Sequence, residues 1–296
     1  MPVPRVEAGV LGTMLALDAV TAQIAAELER VGVPAILLKG PTISRWLYEG
    51  PTERPYDDVD VLVREEDLER AEAVLEEIGF RFVHDDWHGR IWLRGSMNVD
   101  LHRRIVGLGA DPDHAFDVIL ASAEPFDLGR GWMRMPSAPV RTLNLALHAA
   151  QHGPGLTHPL EDLRRGIERI PEETWREAST VARELDAEES FASGLDLLPQ
   201  GAALRQRLGF EPQVWTGVPE LTTGLLRFAA TKGVKGKTTL VVHEVFPTRD
   251  YLRAHYGLAR RGRAGLLAAR AWRPVSLLIR LGPALSALIA LRRRGA

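Results

Sequence analysis

An α+β chain is predicted: a small mixed β-sheet with helices packed on it, followed by a mainly helical region. Three observations carry that expectation. Helical spacing alternates with short strand-like runs up to about residue 110. Beyond that point the strand signal fades and 3.6-residue periodicity takes over. Between the two, Pro136 to Pro139 marks a break. The expected organisation is therefore an α/β domain over residues 1–136 and a helical domain over residues 137–296.

The elements follow in order. From Glu7 to Arg30, Val10, Leu11, Met14, Leu17, Val20, Ile24 and Leu28 recur at helical spacing, and Gly32 ends the helix. Val33 to Leu38 is a short, fully apolar run that reads as a buried strand. It stops at Lys39-Gly40-Pro41-Thr42, and Pro41 suits the first turn of a short helix over Ile43–Tyr48. Asp57 to Val63 reads as the next strand. Glu65 to Ile78 is a helix with Leu68, Ala71, Val74, Leu75 and Ile78 on one face and Gly79 as its cap. Phe80–Val83, Arg90–Leu93 and Met97–His102 alternate with period two and read as three strands. That order suits a mixed sheet with helices on one side. Asp113–Ala121 is a short helix and Gly131–Met135 a last strand. Val140–His152, Glu161–Ile170, Glu172–Leu185 and Phe191–Leu198 are helices, and Lys232–Lys237 is an exposed loop.

Composition narrows the chemistry. The chain has 296 residues, 45% hydrophobic and 26% charged, which is globular rather than disordered. With no cysteine, disulfides and thiolate metal sites are excluded. The N-terminal residues lack a basic region followed by an apolar core, so a cytoplasmic location is expected. The net charge is −2, yet Gly257 to Ala296 holds nine arginines and no acid, which leaves −11 on the rest.

The sharpest feature is Asp58-Val59-Asp60 inside an otherwise apolar strand. Side chains alternate along a strand, so both carboxylates point to one side and repel each other. Burying them unpaired costs several kcal/mol. A divalent cation removes that cost, and Mg²⁺ prefers one or two carboxylates plus water and phosphate oxygens. A two-metal site needs a third carboxylate from a neighbouring strand. Asp100 in Asn98-Val99-Asp100-Leu101-His102 is the candidate, with His102 on the same face.

Leu37-Leu38-Lys39-Gly40, Arg54, Asp58-Val59-Asp60-Val61-Leu62-Val63, Gly79-Phe80 and Val99-Asp100-Leu101-His102 together resemble the uncharacterised nucleotidyltransferase family of the DNA polymerase beta-like superfamily. Leu147-His148-Ala149-Ala150-Gln151-His152-Gly153 and Glu161-Asp162-Leu163 are similar to that family's helical half. The resemblance covers most of the chain, up to about residue 255.

It implies transfer of a nucleoside monophosphate from an NTP, most naturally ATP, to an acceptor hydroxyl on a small molecule, peptide or protein, with release of pyrophosphate. Asp58, Asp60 and Asp100 would hold Mg²⁺, or Mn²⁺ in its place, and Asp100 would also orient the acceptor or act as its base. Lys39, Gly40, Thr42, Ser44, Arg54 and His102 form the implied nucleotide- and phosphate-binding set. One departure stands out: the superfamily usually has Ser after the glycine, and here Pro41 follows Gly40. A non-catalytic nucleotide-binding or regulatory protein on the same fold is the alternative. The Arg-rich tail over 257–296 adds a third reading, a basic amphipathic segment for an anionic membrane surface or nucleic acid.

His148 and His152 lie four apart on a helix, but no third zinc ligand is evident, so packing against the acidic site or stabilising the helix is the expected role. Trp87, His88 and Trp92 read as core rather than as a base-stacking platform.

Overall fold

The computed structural model describes residues 5–85 and 87–213, the helix Gly262–Arg294, and scattered positions between 238 and 260. Two compact units result, Met1–Trp215 and Thr216–Ala296. The boundary expected at residue 136 falls inside the first unit, because one core joins Ile36, Leu38 and Leu62 of the sheet to Leu145, Leu163, Trp175 and Phe191 of the later helices. The loop expected at Lys232–Lys237 lies outside the described residues.

The first unit begins with α1 (Arg5–Arg30), β1 (Ile36–Leu37), α2 (Pro41–Leu47), β2 (Asp58–Leu62) and α3 (Leu68–Glu77). Three strands follow, β3 (Arg81–Asp85), β4 (Gly89–Arg94) and β5 (Met97–His102). Then come α4 (Pro112–Ala121), β6 (Glu124–Asp127) and β7 (Trp132–Met135). The helical part comprises α5 (Ala138–His152), α6 (Thr157–Arg169), α7 (Glu172–Glu184), α8 (Glu188–Leu195) and α9 (Pro199–Arg207). The second unit contributes α10 (Gly262–Arg294). It runs through Arg280, which interrupts the apolar sequence, as one continuous helix.

The seven strands form one sheet in the order β3-β4-β5-β2-β1-β7-β6. β2 runs parallel to β5 and β1 parallel to β7; the other pairs are antiparallel. Helices were expected on one side of the sheet, but both faces are covered. Period two explains why. Val59, Val61, Val99 and Leu101 point into a core shared with α1 and α3. Ile36, Leu38 and Leu62 point the other way, into the core built with α2, α4 and α5–α8. The alternate positions of β2 and β5 on this second face are the acids and His102.

Strand β6 escaped the sequence reading because it carries Pro125. It lies at the sheet edge, where a missing N–H interrupts no ladder on its outer side. Helix α1 is long and apolar enough, by composition, to cross a membrane. In this fold Leu17, Val20, Ile24 and Leu28 are instead buried in the core against the sheet and α3.

Candidate active site

The parallel pairing of β2 with β5 brings the acids together. In register, Asp58 lies beside Asn98, Asp60 beside Asp100, and Leu62 beside His102. The Leu38 N–H donates to the Asp60 carbonyl at 3.0 Å, so β1 ends over the middle of β2. That end delivers Lys39, whose Nζ sits 3.0 Å from Asp60 Oδ1. His102 Nε2 lies 2.8 Å from the same oxygen.

The three carboxyls differ because their neighbours differ. Asp60 is 3% exposed, and burial alone would raise its pKa. The Lys39 charge and the His102 hydrogen bond outweigh burial and hold it well below the usual carboxylate range. At Asp58 the Lys39 charge, and at Asp100 the Lys39 charge with the Asn98 hydrogen bond, do not offset burial and the neighbouring carboxylates. Burial and the charges of Asp60 and Asp100 push Asp58 up to about 8. Burial and Asp60 push Asp100 up to about 7. Burial favours the neutral amine of Lys39, yet Asp60, Asp58 and Asp100 together raise its pKa. Every expected acid is therefore on one face, with one firmly ionised carboxylate and two that pay for ionising.

Among the described residues, Asp60, Asp100 and His102 each offer a ligand atom within 4.8 Å of the others. The expected metal set was Asp58, Asp60 and Asp100. His102 takes the third place in this tight group, while Asp58 stands two residues before Asp60, roughly 7 Å along the strand. The donor set suits a divalent cation. Asp100 Oδ1 is buried without a hydrogen-bond partner, and two neighbouring carboxyls have raised pKa values that a cation would bring down. Hard oxygens dominate the set, which favours Mg²⁺ or Mn²⁺ over softer ions.

The expected phosphate-binding residues are less uniformly placed. Gly40 has φ +65° and ψ −115°, a conformation open to glycine, and the ring of Tyr56 lies 3.6 Å from where a Cβ would stand. Gly40 caps α2 with its carbonyl, which accepts from the N–H groups of Ile43 and Ser44. Thr42 is fully buried and its hydroxyl donates back to the Leu38 carbonyl at 3.2 Å. Ser44 is buried and donates to the Arg54 carbonyl at 3.0 Å. Both hydroxyls thus fix the loop instead of facing a ligand.

Arg54 departs furthest from expectation. Its guanidinium grips Asp162 of α6 through contacts of 2.8, 3.0 and 2.7 Å, and both side chains are buried. Tyr48 donates its hydroxyl to the same carboxylate at 2.6 Å. Arg54 is therefore a clamp between the loop before β2 and the helical part. Of the expected phosphate-binding side chains, Lys39 and His102 stand at the acids.

Three more residues complete the site's frame; of these, Asp162 and His148 were marked by the sequence and Asp18 was not. Asp18 of α1 accepts from Tyr56 at 2.7 Å and pairs with Arg45. Asp18 sits among Met14, Leu17 and Thr21 on the buried stripe of α1, and an acid on such a stripe was the available signal. Asp162 carries the same signal beside buried Leu163. His148 of α5 packs edge-on against His152, with ring centroids 4.7 Å apart. Its pKa is well below the usual histidine value through burial, then through the charges of Lys39 and His152. Lys39 and Asp60 both act on it, so α5 walls the acidic site as the His148–His152 spacing suggested.

A mixed sheet presenting these acids beside a lysine is the framework of a nucleotidyltransferase. The chain belongs to the uncharacterised nucleotidyltransferase family, whose model matches residues 10–200. Solved structures similar to it include the antibiotic-resistance factor ANT(2'')-Ia, at 15% identity over 57% of this chain and 90% of that one, with TM-score 0.43. An antigenic nucleotidyltransferase-like protein from Paracoccidioides brasiliensis aligns at 12% identity over 68% and 95% of the two chains, with TM-score 0.39. The lincosamide antibiotic adenylyltransferase LnuA aligns at 15% identity over 49% and 91%, with TM-score 0.33. No curated protein matches the chain.

Proposed function

We propose that this enzyme moves a nucleoside monophosphate from an NTP, with ATP the first choice, to an acceptor hydroxyl. One observation carries the reading most: Asp60 and Asp100 stand side by side on parallel strands, next to Lys39, with a buried Asp100 oxygen left without a partner. Asp60 and Asp100 would hold the first Mg²⁺ or Mn²⁺ beside His102, with Asp58 available for a second. The cation supplies charge neutralisation at the triphosphate when bound.

The chain's own groups divide the remaining work. His102 orients Asp60 through their 2.8 Å contact. Lys39, with 22% of its side chain exposed, can exchange its Asp60 contact for a phosphate oxygen. Asp100 accepts the proton of the acceptor hydroxyl, whose oxygen forms the new bond to the α-phosphorus. The bond from that phosphorus to the bridging oxygen breaks, and pyrophosphate leaves with the electron pair. Positioning and electrostatics supply most of the rate. The acceptor class is a hydroxyl on a small molecule, a peptide or a protein. A cytoplasmic location, where NTPs are abundant, fits this chemistry.

The test is incubation with each labelled NTP and Mg²⁺ or Mn²⁺ against panels of hydroxyl acceptors, following pyrophosphate release. Metal-dependent release that Asp60→Asn abolishes is expected. Nucleotide binding without release, across metals and acceptor panels, would favour a non-catalytic role.

A further inference from the structure

Helix α10 has one covered face and one bare one. Leu266 and Ala269 are buried against Leu252 and Ala259, with Tyr256 alongside. Arg273 adds a 3.0 Å hydrogen bond to the Tyr256 hydroxyl. On the far side, Leu267, Trp272, Val275, Leu278 and Ile279 are 65%, 52%, 44%, 69% and 63% exposed. At about 100° per residue these five fall within one arc of roughly 140°. Large apolar side chains gathered in water mark an interaction surface.

Charge identifies what covers it. Gly257 to Ala296 carries nine arginines and no Asp or Glu, although the chain as a whole is slightly acidic. Arg263 and Arg270 are exposed and flank the apolar stripe at its Leu267 edge. A second copy of the helix would bring like charges together. RNA would satisfy the arginines and leave Leu278 and Ile279 in water. An anionic lipid surface meets both needs, with phosphates for the arginines and an acyl boundary for the stripe. Exposed tryptophan suits that boundary.

We propose that α10 binds an anionic phospholipid surface, lying in the interface with its Leu267–Ile279 face embedded. This site is independent of nucleotidyl transfer and can fail or hold without it. The test is flotation of the full chain with vesicles of phosphatidylcholine alone and with added phosphatidylglycerol. Binding to the anionic vesicles is expected to exceed binding to neutral ones at least tenfold and to weaken in high salt. Leu278→Glu/Ile279→Glu should lower it at least tenfold. Arg263→Gln/Arg270→Gln should lower it roughly fivefold per arginine.

Because a variant can lose its fold, tryptophan quenching by brominated phosphatidylglycerol is measured on the unaltered chain and on Trp272→Phe. Quenching that Trp272→Phe removes supports embedding. Equal binding to both vesicles, no binding, or quenching unchanged by Trp272→Phe would overturn the proposal. So would a dimer that the Leu278→Glu/Ile279→Glu variant dissolves, or RNA binding with no vesicle binding.

Discussion

Replacing Asp162 with Asn should destabilise the first unit more than any surface charge change. The substitution keeps shape and removes the charge facing Arg54. Asp162 accepts three contacts of 2.7–3.0 Å from Arg54 and one of 2.6 Å from Tyr48, with side-chain exposures of 10% for Arg54 and 3% for Asp162. Breaking one partner of a buried pair strands the other charge and costs about 3–5 kcal/mol. At roughly 2–4 °C per kcal/mol for a unit of this size, the melting temperature should fall by about 6–20 °C. The exposed Arg207–Glu172 pair is the control, and Glu172→Gln should cost less than about 1 kcal/mol. Replacing both partners, Arg54→Met with Asp162→Leu, should recover most of the loss. Thermal and urea melts followed by circular dichroism measure all four proteins. A shift below about 2 °C for Asp162→Asn would refute the clamp. So would an Arg54→Lys variant that melts normally while its KM for NTP rises, since that behaviour belongs to a phosphate ligand.

Stability should also depend on pH and metal. Asp58 and Asp100, with folded pKa values raised to about 8 and about 7, hold their protons more tightly folded than unfolded. Their contribution is complete below the unfolded value near ~4 and is lost as pH rises through 7 to 8. The metal-free protein should lose about 2–4 kcal/mol between about pH 6 and about pH 8. Mg²⁺ should raise the melting temperature more at the higher pH, and equal effects at both would contradict the raised values. Gly40→Ala, at φ +65°, should cost about 1–2 kcal/mol and impair turnover; an unchanged melt and rate would show that the loop tolerates a Cβ there. Lys39→Met should raise KM for NTP by about tenfold or more in steady-state kinetics, and an unchanged KM would remove Lys39 from phosphate binding.

Local chemistry made much of the sheet legible. Asp58 and Asp60 in an apolar run specified a strand with one polar position in two, and β2 has that pattern. Met97–His102 alternated clearly enough to give β5 to the residue. Sequence did not show that β5 lies parallel to β2, which is what sets Asp60 beside Asp100. Pairing between strands separated by a helix and a hairpin depends on long-range packing. The same reason hid Arg54's partner, because Asp162 is 108 residues away and meets it only when α6 docks. Thr42 and Ser44 looked free to bind phosphate, yet an interior polar side chain must find a partner, and the nearest were the carbonyls of Leu38 and Arg54.

Metal-dependent nucleotidyl transfer is the activity proposed for the Asp60–Asp100 face. Pyrophosphate release by Asp100→Asn, beside a nucleotide-binding titration of the same variant, tests it most directly. A fall of about a hundredfold or more in turnover with nucleotide binding retained is predicted. Turnover within a few-fold of the unaltered enzyme, with the variant normally folded, would contradict it.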